Sequence, residues 1–295
     1  MTRHTARRAT FEHYRLAEGP VWDPVRERLL WVDIEAGLVV DGVFDGSSIR
    51  PIEARPIDGT VGALACAEDG TLLIAGTRDL VTLRSDGEIL DVTPVLPPDR
   101  PSRLNDGACD PGGRFLVGSM AQDDRTGVEL LVRREDGGAI TVVDDDLTVS
   151  NGLAWSPDGT TFYSVDSGPG TIWARDYDAA TGEVGPRRPF LTIEDGTPDG
   201  MCADADGNLW IAIFGAGEVR CHAPGGALLA TVAVPGAPHV TSVAFAGSDL
   251  DTLVITTARH ELSPAELDQN PDSGRLFVAD VGNVGAPVPL WRGPG

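Results

Sequence analysis

The sequence predicts an all-β fold, a six-bladed β-propeller, and three observations predict it. Residues 150–167, SNGLAWSPDGTTFYSVDS, hold two short apolar runs joined by a Ser-Pro-Asp-Gly turn. Two short strands follow from that pattern, because Pro presets one turn dihedral and Gly tolerates the other. The unit then recurs, with its register residue at Glu18, Val61, Asp106, Asn151, Asp199 and Thr241. A spacing in the forties built from short strands and turns marks one four-stranded blade per repeat. Finally, almost no window carries apolar residues at sustained spacings of three and four, which sets a helical solenoid aside.

Taken in order, residues 1–10 are expected to form a flexible tail and residues 11–295 a single propeller domain. Residues 11–16 alternate as a strand that completes the last blade and closes the ring. Trp22, Leu30, Trp31 and Val32 pack between blades. The second blade offers only Val61 to the axis, whereas the proline-rich stretch 96–103 leads into the most polar inner strand, RLNDGACDPGGRFLVGSMAQDD. Asp144, Asp145 and Asp146 read as a solvated turn. Pro198 biases Thr197 toward an extended shape and fixes the entry of Asp199. The DADGN at 204–208 lacks the closing Glu of a calcium loop and reads as a hairpin turn. A long excursion near the end contains a short helical piece at 264–267.

Composition narrows the function classes. A net charge of -22 argues against nucleic acid and anionic membranes as partners, since phosphate binding needs clustered cations. All 23 basic residues are Arg, which excludes Schiff-base chemistry. Cys66, Cys109, Cys202 and Cys221 show no paired spacing and read as reduced, buried residues. The amino terminus has charge but no apolar run after it, so a cytoplasmic location is expected, with no membrane span.

The register also places chemistry. The inner strand of each propeller blade lines the central channel, so Glu18, Val61, Asp106, Asn151, Asp199 and Thr241 converge on one axis. Three acids and an amide buried together raise their pKa or repel one another unless a cation compensates them. Serine-nucleophile chemistry finds no G-x-S-x-G elbow, and the five histidines fall away from the register and form no metal-binding pair. What remains is Glu18, Asn151 and Asp199, an all-oxygen set suited to Ca²⁺, Mg²⁺ or Mn²⁺. Three protein ligands leave open positions for catalysis, although such an ion can also simply tie blades together. Arg103, Asn105, Asp106 and Gln122 approach the channel mouth; alternatively, Arg103 pairs with an acid while Asn105 and Asp106 cap a turn.

The stretches AEGPVWD, RLNDGACDPGGRFLVGSM, VSNGLAWSPDG, PDGMCADADGNLW and TSVAFAG with LVITTAR together resemble the SMP-30/gluconolactonase/regucalcin-like family over roughly residues 11 to 280. The resemblance implies a six-bladed propeller that opens a sugar lactone with one divalent ion, Ca²⁺ foremost and Mg²⁺, Mn²⁺ or Zn²⁺ as alternatives. It implies that Glu18, Asn151 and Asp199 ligate the metal, that Asp199 is also the general base, and that Arg103 and Asn105 bind the substrate. The register selects Asp106 where the resemblance implies its neighbour Asn105; adjacent strand residues face opposite ways, and the resemblance decides for Asn105. Gln122 stands where some members carry a substrate-contacting Glu; it keeps an acceptor and loses the charge. Two rivals share the fold: a non-catalytic calcium-binding propeller, and a phosphotriesterase or esterase using the same metal.

Overall fold

The computed structural model describes residues 1–294. Six antiparallel sheets stand around a central axis, a six-bladed β-propeller with little helix. The innermost strands, one per blade, are Ala17–Asp23, Ala63–Cys66, Ser102–Cys109, Ser150–Trp155, Thr197–Ala203 and Val240–Ala246. Every residue of Ser150–Trp155 is buried, because that strand packs on neighbouring blades with both faces. The outer strand Ile89–Pro94 of the second blade is exposed almost throughout. Cores lie between blades, where Tyr14 meets Trp31 edge-on at 5.6 Å and Trp155 stacks on Phe162 at 4.8 Å.

The turns follow their residue chemistry. In Ser-Pro-Asp-Gly, Gly159 adopts a φ of 70° and the Ser156 hydroxyl accepts the Thr161 amide at 2.9 Å. At 204–208 the Asp204 carboxylate accepts the amides of Asp206 and Asn208 and the Trp210 indole N–H, so the stretch is a hairpin turn. Ser263 and Glu266 form a reciprocal capping box on the helix Pro264–Gln269.

Three expectations need correction. Residues 1–10 are not a loose tail: Thr2–Thr5 adds a parallel fifth strand outside Leu228–Ala233, and Arg7–Arg8 pairs with Phe277–Asp280 to complete the sixth blade. The ring is therefore closed by residues 2–8, while residues 11–15 join no strand and only Leu16 bridges to Ala258. An edge strand wet on both faces pairs through its backbone alone, so TRHT carries no apolar alternation to announce it. Asp144, Asp145 and Asp146 lie inside the strand Ile140–Leu147 rather than in a turn. Buried Arg175 binds Asp144 at 2.8 Å, which neutralises an acid in a strand.

Candidate metal centre

The register residues sit where the inner strands break their ladders. A bulge interrupts pairing between Glu18 and Val21, Leu104 and Gly107, Asn151 and Leu153, Pro198 and Met201, and Val240 and Ser242. A bulge inserts an unpaired residue and re-aims its side chain. In three blades the glycine beside the register position lets adjacent strands approach: a Cβ on Gly152 would stand 2.5 Å from the Asp199 carbonyl oxygen. Similar clashes set Gly62 against Asn105 and Gly200 against Ser242. Glycine is therefore required at these three approaches between neighbouring inner strands.

Two aspartates fix the approach to this ring. Asp33 accepts the amides of Arg15 at 2.9 Å and Leu16 at 3.1 Å, just before Glu18. Asp166 accepts those of Thr148 and Val149 just before Asn151. Both close a second strand with Val-Asp, a recurrence at 32–33 and 165–166 that could have flagged them in the sequence.

Glu18, Arg103, Asn105, Asp106, Asn151 and Asp199 are brought together, each between 4% and 9% exposed. Burial pushes the Glu18 carboxyl well above the usual range, and the charges of Asp199 and Asp106 add to the shift. Burial and then Asp106 raise Asp199 likewise, and burial brings Asp106 itself to about 6. The guanidinium of Arg103 is lowered to about 10 by its own burial, against the opposing pull of Glu18 and Asp199. Arg103 donates to the Leu104 carbonyl at 3.0 Å and to Asn105 Oδ1 at 2.6 Å. No side chain donates a hydrogen bond to Glu18, Asp106 or Asp199 among the described residues; Glu18 and Asp106 take only the amide of the following glycine.

The amides are oriented. Asn151 Nδ2 donates to Ser167 Oγ at 3.0 Å, and Ser167 Oγ donates to the Pro198 carbonyl at 2.7 Å. That leaves Asn151 Oδ1 toward the axis, where Asn105 Nδ2 donates to it at 3.2 Å. Asn105 and Asp106 both reach the ring, because the bulge spanning 104–107 suspends the alternation that would send them to opposite faces. Val61 and Thr241 contribute no ligand atom: Val61 is buried and apolar, and Thr241 donates to the Ala17 carbonyl at 2.6 Å, joining the sixth blade to the first. Gln122 stands apart from the ring. It is exposed, its backbone N–H donates to the Pro101 carbonyl at 2.8 Å, and it lies at the end of the blade from which Arg103 enters.

The donor chemistry fits a divalent cation. Carboxylates that face one another with no side-chain donor lack a compensating positive charge, and a hard cation supplies it. Among the described residues no three His, Cys, Asp or Glu side chains cluster as a metal cage. The set that fits is two carboxylates with an amide oxygen, completed by waters.

Fold and ring together define a six-bladed propeller with an oxygen-donor centre on its axis. The chain belongs to the family of the SMP-30/gluconolactonase/LRE-like region, whose model matches residues 16–259. It is 33% identical to regucalcin of Gallus gallus over 289 residues, covering 94% of each chain. It is 36% identical to a pentonolactonase of Haloferax volcanii over 282 residues, covering 92% of this chain and 93% of the relative. In three dimensions it is similar to a calcium-binding protein, regucalcin, from Agrobacterium tumefaciens, with a TM-score of 0.92, 27% identity and 99% of both chains covered.

Proposed function

We propose that this protein is a divalent-metal-dependent lactonase that opens a sugar lactone, an aldonolactone such as gluconolactone, xylonolactone or arabinolactone, to the aldonic acid. The observation that carries the reading is the buried axial set of Glu18, Asn151 and Asp199 beside one buried cation, Arg103. The likeness to a pentonolactonase over nearly the whole chain supports it.

In this reading Glu18, Asn151 and Asp199 hold the ion, Ca²⁺ foremost, with Mg²⁺, Mn²⁺ and Zn²⁺ as alternatives. When bound, such an ion supplies Lewis-acid polarisation of an acyl oxygen. The chain's own residues do the rest. Arg103 and Asn105 orient the lactone by hydrogen bonds to its oxygens, and Gln122 on the rim reads a sugar hydroxyl as donor or acceptor. The Asp199 carboxylate accepts a proton from the attacking water as its oxygen bonds to the acyl carbon. The ring C–O bond then breaks, and that proton passes to the departing ring oxygen, which becomes the hydroxyl of the aldonic acid. Burial keeps other water away and strengthens each of these polar contacts.

The relatives named regucalcin motivate a second reading, a calcium-binding propeller without turnover. Chelator-stripped protein given the three lactones with each of the four ions separates the two, with acid release as the readout. Metal-restored turnover of at least one lactone is expected. Metal binding without turnover on any of them would favour the second reading, and a preference for phosphotriesters would favour an esterase.

A further inference from the structure

The inner strands do not stop at the ring. Past Glu18, Asp106, Asn151 and Asp199 they run on into a cavity of about 330 Å³. All six inner strands line it, through residues 19–22, 64–66, 106–109, 153–155, 201–203 and 242–245. It is therefore the far half of the axial channel, since Arg103 and Asn105 approach the ring from the other side.

A strap closes its outer end. Gly285 donates to the Leu250 carbonyl at 2.8 Å and Ala286 to that of Ala203 at 3.1 Å, which anchors the segment on blades six and five. Residues 286–289 line the cavity. Trp291 then donates to the Cys66 carbonyl at 2.9 Å and Arg292 to that of Gly113 at 3.0 Å, on blades two and three across the axis. Trp291 is buried there, with the Arg134 guanidinium 5.3 Å from its ring centroid.

We propose that this strapped chamber is a second ligand site, separate from the catalytic mouth, for a neutral, largely apolar molecule of about two to three rings. Four observations select that class. The volume exceeds the ~150 Å³ that holds a single benzene in an engineered core and falls in the range of small-molecule pockets. Trp22, Trp155, Met201 and Phe245 dominate the wall. The thiols of Cys66, Cys109 and Cys202, which also face it, are held neutral by burial. Among the described residues no Arg or His lines the chamber, so an anion of the same shape loses its hydration there without gaining a partner charge from the wall.

The test uses a matched pair of fluorescent probes on the full-length chain. N-phenyl-1-naphthylamine is neutral, and 1-anilinonaphthalene-8-sulfonate has the same rings with an added negative charge. The neutral probe is expected to bind saturably at one site per chain, at least about tenfold more tightly than the anion. Ala108 and Ala244 line the chamber and are only partly buried, so Ala108→Phe and Ala244→Phe fill it, with Ala244→Leu as the milder change. Variants that keep the parent melting temperature should lose at least about tenfold in affinity for the neutral probe. Absence of saturable binding, equal binding by the folded filled variants, or equal affinity for the two probes would overturn the proposal.

Discussion

Asp199 is asked to do two things that burial alone forbids: carry a negative charge beside Glu18 and Asp106, and take a proton from water. A nearby cation reconciles them, holding the carboxylate ionised while its other oxygen remains basic. Asp199→Asn keeps the shape and removes both functions. Lactone turnover should fall by about a thousandfold with the melting temperature of the metal-free protein preserved or raised, measured by acid release and thermal unfolding. Ser167 makes a finer test, because it touches no substrate in this account and ties the Asn151 amide to the Pro198 carbonyl. Ser167→Ala should weaken metal affinity about ten- to a hundredfold, as loss of an orienting partner does, and unchanged affinity would remove it from the site. The choice between Asn105 and Asp106 was beyond sequence reasoning, because strand alternation separates them and only the bulge brings both to the axis.

At the scale of elements, five of the six inner strands carry a bulge, and glycines at 62, 152 and 200 let neighbouring strands close on the axis. Gly152→Ala should destabilise the fold by about 1 to 3 kcal/mol, since its Cβ would press on the Asp199 carbonyl oxygen. Gly225→Ala meets nothing within 4 Å and should stay within about 0.5 kcal/mol of the parent; equal effects from the two in denaturant unfolding would contradict the crowding argument. The blade period was legible because inner strands are apolar runs between Pro and Gly turns, of which 150–167 is the clearest. The closing strands were not, since Thr2–Thr5 and Arg7–Arg8 are exposed edges whose pairing lies in the backbone. Deleting residues 1–8 should lower the melting temperature by several degrees and promote association, because it uncovers the edges of two blades.

For the whole molecule, the axial carboxylates link stability, pH and metal. The Glu18, Asp106 and Asp199 carboxyls are raised, so the fold holds protons that the unfolded chain has released. The metal-free protein should therefore lose stability as pH rises from about 4 through these values, near 6 for Asp106. A divalent ion should raise the melting temperature more at pH 8 than at pH 5, because its ligands must be deprotonated to bind it. The six-bladed ring, the two acids and the amide were readable from one register, and the Val-Asp recurrence at 32–33 and 165–166 marks Asp33 and Asp166, while Ser167 shows its purpose only once the strands are folded. The most direct test of the central claim is calorimetric titration of chelator-stripped protein with Ca²⁺, Mg²⁺ and Mn²⁺, alongside Asp199→Asn and Asn151→Ala. One ion per chain in the parent, with binding lost or weakened by at least about a hundredfold in both variants, is the predicted result; no binding, or binding that both variants keep, would contradict it.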